Sequence, residues 1–127
     1  MKKWFSYLWP ISSKRETEHN GTLEISWING EKLLNSAHTN YSYGSLQKVL
    51  EFGLRKINLP KVQNTLILGL GGGSVVYSLR NTFGYNQAIV GVEWDKKVLD
   101  IGLNDYGLKD FQNAKFVLST AESFVRF

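Results

Sequence analysis

At 127 residues and 14.5 kDa the chain can hold one domain with a packed core and is too short for two. A hydrophobic fraction of 43% with 13% aromatic residues excludes a disordered chain, and the lack of cysteine excludes disulfides and thiolate chemistry. The net charge of +4 resides in Lys2, Lys3, Lys14 and Arg15, all before the first acidic residue, Glu16. The other basic residues balance the 11 acidic ones, so no basic face for nucleic acid is expected.

Residues 1–20 read as a basic and aromatic N-terminal segment. Its opening, MKKWFSYLWP, is short, is interrupted by Pro10, and lacks the apolar run and small-residue cleavage site of a secretory leader. No stretch approaches the length of a membrane span, and the cytoplasm is the simplest location. Trp4, Phe5, Leu8 and Trp9 fall at helical spacing, which predicts a short helix packed on its own domain or a partner, with attachment to a membrane surface as the alternative. His19 and His38 stand far apart without a cysteine partner, so a zinc site has little support and none is expected.

Residues 21–44 predict a β-hairpin. Leu23, Ile25 and Trp27 alternate with Glu24 and Ser26, the period of a half-buried strand. Asn29-Gly30 suits a tight turn with positive φ at both centres, and Glu31 to Asn35 is the return strand. A helix follows, with Ser45 as its expected N-cap, an apolar stripe of Leu46, Val49, Leu50, Leu54 and Ile57, and Pro60 to close it.

Residues 45–127 predict the first half of a Rossmann-like nucleotide-binding domain. Leu66-Ile67-Leu68 is an apolar run of the kind found in parallel strands buried on both faces. It leads into Gly69-Leu70-Gly71-Gly72-Gly73, a helix from Ser74 to Arg80, and a second buried strand from Ala88 to Val92 that ends at Glu93. Glycines let the backbone turn sharply and approach a ligand closely. The helix start favours polar or anionic ligand groups, and an acid roughly 20 residues after the loop can accept hydrogen bonds from ribose hydroxyls. No lysine follows the loop, as a P-loop would need. The dinucleotide pattern Gly-x-Gly-x-x-Gly fits Gly69 and Gly71 but meets Ser74 in place of its third glycine, which disfavours NAD(P).

The spacing Gly69, Gly71, Gly73 resembles motif I of the class I S-adenosylmethionine-dependent methyltransferases. That resemblance implies a ligand held by the loop from Gly69, Leu70 and Gly71 to Gly73, with Glu93 clasping the ribose and Trp94 packing on adenine. A hairpin, a Tyr-containing turn, a helix and then LILGLGGGSVV and IVGVEWDKKVLDIG look more narrowly like the spermidine synthase-like family, over about residues 21–127. KFVLSTAESFV resembles its third motif, which implies Thr120 and Ala121 at the adenine edge. Tyr43 matches a tyrosine lining that family's acceptor pocket, although from its residue type alone it reads as a hydrophobic turn residue.

The chain departs from that family at Gly72, where an aspartate usually holds the donor's amine, and at Thr120-Ala121, where Asp-Ala is usual. The implied fold is α/β, a class I methyltransferase fold truncated to its first three parallel strands and preceded by the β-hairpin. The implied cofactor is S-adenosylmethionine or decarboxylated S-adenosylmethionine, the partner being this small-molecule nucleotide rather than nucleic acid. The family's catalytic aspartate follows a fourth strand, so no catalytic residue is expected here. The edge of the first strand, Thr65 to Gly69, is expected to lack a neighbour and to favour self-association. The alternatives are a non-catalytic nucleotide-binding or interaction module and an NAD(P)-binding domain.

Overall fold

A computed structural model describes residues 1–126, which form two sheets joined by a shared layer of helix. The first sheet is antiparallel, with β1 (Ile11–Glu16), β2 (Thr22–Ile28), β3 (Glu31–Asn35) and β4 (Asn40–Ser42) in sequential order. Alternation delivers Leu23 and Ile25 of β2 and Leu34 of β3 to the interior, as expected, with Trp27 left half-buried. Asn29 (φ 49°) and Gly30 (φ 77°) make the turn between β2 and β3 with positive φ at both centres.

The sheet is wider than the two predicted strands. β1 comes from the basic segment and pairs with β2 from Ile11↔Trp27 to Glu16↔Thr22. Its sequence, ISSKRE, carries no apolar alternation because it is an edge strand with most of its residues exposed, so backbone pairing rather than burial makes it a strand.

The single helical turn α1 (Lys2–Phe5) does not bury its apolar residues in this chain. Trp4, Leu8 and Trp9 are each about 80% exposed, and the segment is held by its small polar residue. Ser6 is buried, and its carbonyl and hydroxyl oxygens accept from the N–H groups of Asn29 (3.2 Å) and Gly30 (2.9 Å).

Helix α2 (Gly44–Leu54) is also entered differently from the sequence expectation. Its first turn is capped by Asn40, whose Oδ1 accepts from Leu46 N–H at 2.9 Å, and not by Ser45. Leu46, Leu50 and Leu54 turn inward, whereas Val49 is exposed. Ile57 lies beyond the helix end and is exposed, and Pro60 sits in a separate 3₁₀ turn, Leu59–Lys61.

The second sheet is parallel, in the order β5 (Asn64–Leu68), β6 (Ala88–Glu93), β7 (Ala114–Leu118). Helix α3 (Ser74–Tyr77) runs on through a wider π-type turn, Ser78–Thr82, and α4 (Lys96–Asp100) through another, Ile101–Asp105; α5 (Ala121–Val125) follows β7. This β-α-β-α-β order is the Rossmann-like pattern anticipated from the glycine loop. Val76 of α3, Leu79 of the turn that continues it, Leu99 of α4, and Leu108 pack with Ile89 and Phe116 on one face of the sheet. Val98 of α4 and Ile101 of the turn that continues it point the other way, onto Leu23, Ile25 and Leu34, so this one helical stretch closes both cores.

β5 is not buried on both faces. Ile67 joins the core, while Leu66 and Leu68 are nearly half exposed, because among the described residues β5 is an edge strand with no helix over its far face. No helix among these residues is long and apolar enough to cross a membrane.

Candidate nucleotide site

The glycine turn forms where β5 ends. Gly69 and Leu70 both donate their N–H groups to Val92 O, at 3.0 and 2.9 Å, which swings the chain across the tip of β6. Gly71, at φ 59°, then donates its N–H to Glu93 Oε2 at 2.9 Å. A left-handed residue is needed here to aim that N–H, and only glycine adopts the conformation without strain. Gly73 has a second constraint. A Cβ on it would lie 2.3 Å from Leu108 Cδ1, so core packing also excludes any side chain.

Gly72 is buried against the antiparallel sheet, where a Cβ would meet Leu34 Cδ2 at 2.9 Å and Ser42 Cβ at 3.0 Å. The aspartate usual at this position in spermidine synthases would have no room. Ser74, at the place of the third dinucleotide glycine, is buried and accepts from the Ser42 hydroxyl at 3.2 Å, which latches α3 to β4.

Glu93 stands at the tip of the central strand but is only 3% exposed. Besides Gly71, it accepts from the N–H groups of Trp94 and Asp95, each at 3.0 Å on Oε1. A carboxylate has about four lone-pair sites, so three backbone donors leave roughly one for a ligand. Trp94 is half exposed, and the His19 ring is stacked on it with centroids 3.9 Å apart and 12° between planes.

His19 is held there by Asp95. Asp95 Oδ2 accepts from His19 N–H (2.8 Å) and the Asn20 amide (3.0 Å), while Oδ1 caps α4 through Lys97 N–H and Val98 N–H. Burial alone would raise the Asp95 pKa. The hydrogen bonds from His19, Asn20 and Val98 outweigh it and hold the carboxyl below its ordinary value.

Gly69, Gly71, Glu93 and Trp94 converge with Leu70 on a crevice of about 230 Å³ at the C-terminal ends of the parallel strands, where open α/β sheets bind ligands. Its other wall includes Tyr41, whose hydroxyl is pushed up to about 12, first by burial and then by Glu93 and Asp95. Ligand pockets usually enclose roughly 300–1,000 Å³, so these residues form part of a site.

Four predicted residues lie elsewhere, the first being Gly73, which is buried under the turn against Leu108 and does not line the crevice. Thr120 and Ala121 are exposed on the neighbouring rim and do not line the crevice. The Thr120 hydroxyl caps α5 by accepting from Ser123 N–H at 3.1 Å, although Ser119 N–H, one residue earlier, reaches Glu93 O at 2.9 Å. Tyr43 lines a different hollow of about 780 Å³, between the antiparallel sheet and the end of α4. Strand alternation would set Tyr41 and Tyr43 on one face. Tyr43, however, takes φ 66° and ψ −167°, a region nearly reserved for glycine that costs about 1–3 kcal/mol. Its hydroxyl donates to Gly72 O at 2.8 Å and its ring stacks on Tyr106, and these contacts hold it in place.

Sequence reasoning missed Tyr41, His19 and Asp95. Asp95 carried a signal, an aspartate immediately before a helix-forming run, whereas His19 is brought in only by tertiary contact. Among the described residues no group of three or more His, Asp or Glu side chains could hold a metal ion.

No protein-family model and no curated protein matches the chain. Among solved structures it is similar to YcgJ from Bacillus subtilis, with 22% identity and a TM-score of 0.51 over 63% of this chain and 32% of that one. It is also similar to Aeropyrum pernix fibrillarin, solved with natively bound S-adenosyl-L-methionine, with 17% identity and a TM-score of 0.47 over 86% of this chain and 56% of that one. The chain thus spans about a third of YcgJ and just over half of fibrillarin. The likeness to YcgJ is one of fold.

Proposed function

We propose that the crevice is the adenosyl half of a binding site for S-adenosylmethionine or its decarboxylated form, in a transferase of the class I methyltransferase type. The observation that carries this reading is the bond from Gly71 N–H to Glu93 Oε2. It brings the glycine turn and the acid of the second strand together at one strand-end crevice, with the Trp94 ring beside them. Ribose hydroxyls would take the remaining acceptor capacity of Glu93, and adenine would lie against Trp94 on the face His19 leaves or in its place.

The resemblance to the spermidine synthase-like family supports aminopropyl transfer as one form of the chemistry, and the lack of room at Gly72 weighs against an amine-holding aspartate there. The residues described bind and orient a nucleotide. In a complete enzyme, the acceptor nucleophile would attack the carbon beside the sulfonium in line.

A specific observation favours a second reading. Glu93 is largely satisfied by its own backbone and Trp94 already carries a stacked ring, as expected of a glycine turn retained for structure in an interaction module. Calorimetric titration with S-adenosylmethionine, decarboxylated S-adenosylmethionine, methylthioadenosine and NAD separates the two. Binding of the adenosyl thioether and sulfonium compounds, with NAD much weaker, is expected; no binding by any of the four sinks the first reading.

A further inference from the structure

The hollow that receives Tyr43 is the larger of the two, and its chemistry differs from that of the crevice. Its walls carry four aromatic rings. Tyr43 and Tyr106 are stacked with centroids 4.2 Å apart, Tyr77 meets Tyr43 edge-on at 6.3 Å, and Trp27 lies on the sheet side. Clustered rings of this kind usually attract a cation.

Here the cation is already present. Lys32 Nζ lies 4.7 Å from the Tyr106 centroid and 5.7 Å from that of Trp27, and donates to the carbonyl oxygen of Asp105. Burial, the largest influence on it, pulls the Lys32 ammonium below its ordinary pKa and outweighs the opposing pull of Asp105, so a further anion would stabilise its charged form.

The other charges on the wall favour the same sign of ligand. Glu51 is taken up by the Ser78 and Thr82 hydroxyls and by Arg55, and Asp105 faces Arg15 at 3.7 Å. Lys3 and Lys48 have no ion-pair partner among the described residues, and only Glu31 stands free against them.

From these observations we infer that this cavity is a second ligand site, for a small planar molecule bearing an acidic group. The acid meets Lys32, and the ring lies against Tyr77, which keeps 43% of its surface exposed. At about 780 Å³ the cavity is within the usual range for such ligands. The inference is independent of what the crevice binds.

The test uses naphthalene-2-sulfonate as the planar anion and naphthalene-2-sulfonamide as its neutral counterpart, titrated into the full chain and followed by amide NMR shifts. The sulfonate is expected to shift the amides of Lys32, Gly44 and Gly107, and to bind about tenfold more tightly than the sulfonamide, the scale of one charge-assisted contact. Lys32→Met is expected to bring the two compounds to similar affinity, and Tyr77→Ala to weaken both. If Lys32→Met does not fold, Lys48→Met, at an exposed position, is expected to weaken the sulfonate alone. Equal binding of the two compounds by the wild-type protein overturns the inference. So do shifts confined to Leu66 and Leu68 or to Gly69–Gly71, or an unchanged preference in the lysine variant.

Discussion

The two hollows on either side of β4 and the turn that follows it are built from opposite materials. The crevice is organised by backbone: left-handed glycines and a carboxylate held by main-chain N–H groups set its floor, with Tyr41 and Trp94 beside them. The aromatic cavity is made of side chains: four rings and an incompletely neutralised set of lysines. The first owes its shape to left-handed glycines and the ends of parallel strands. The second exists because Tyr43 turns against the direction its strand would give it. A site made of backbone announces itself in sequence as a motif, whereas a site made of scattered side chains does not.

The largest effect expected from breaking this contrast comes from the loop itself. Gly73→Ala would place a Cβ inside the contact with Leu108 and also force an unfavourable φ, and should destabilise the fold by about 3 kcal/mol or more. Gly71→Ala has space beside it, with Tyr41 3.5 Å away, and should cost only the φ penalty of about 1–2 kcal/mol. Denaturant midpoints of the two variants measure the difference; equal losses would mean that packing against Leu108 contributes nothing.

Asp95→Ala comes next. It removes the cap of α4 and the anchor of His19 and Asn20 together, and a loss of about 2–3 kcal/mol is expected. Because the folded-state pKa of Asp95 is depressed, its contribution is fully present above its unfolded value near 3.8 and is lost as pH falls through the folded value. Wild-type stability should therefore fall on acidification below about pH 4 more steeply than that of the variant.

Glu93→Ala should weaken adenosyl binding in the crevice by roughly 1–3 kcal/mol while leaving naphthalene-2-sulfonate binding in the aromatic cavity unchanged. Calorimetry on both ligands checks this, and a parallel loss at both sites would deny that they are separate.

The smallest effect is expected for Tyr43→Phe. Only the bond to Gly72 O is lost, the ring stack stays, and about 1 kcal/mol of stability should go. Thermal unfolding measures it; a much larger loss would mean that the hydroxyl, rather than the stack, holds the strained turn.

The sequence alone determined those features that depend on local period and local backbone conformation. Alternation at Leu23 and Ile25, the Asn29-Gly30 turn, and the strand–glycine–helix–strand order from Leu66 to Glu93 all appear in the structure, because each follows from dihedral preference or burial period over a few residues. Only the tertiary structure decided what those elements meet. β1 is a strand because β2 offers it an edge, and Asn40 rather than Ser45 caps α2 because β3 and β4 bring its side chain there. Leu66 and Leu68 remain uncovered because burial needs a second layer, which no apolar run can supply by itself. Tyr41, and not Tyr43, faces Glu93 because one residue at positive φ reverses the direction of the chain, and the stacking and hydrogen bonding that stabilise that conformation come from Tyr106 and Gly72, far away in sequence.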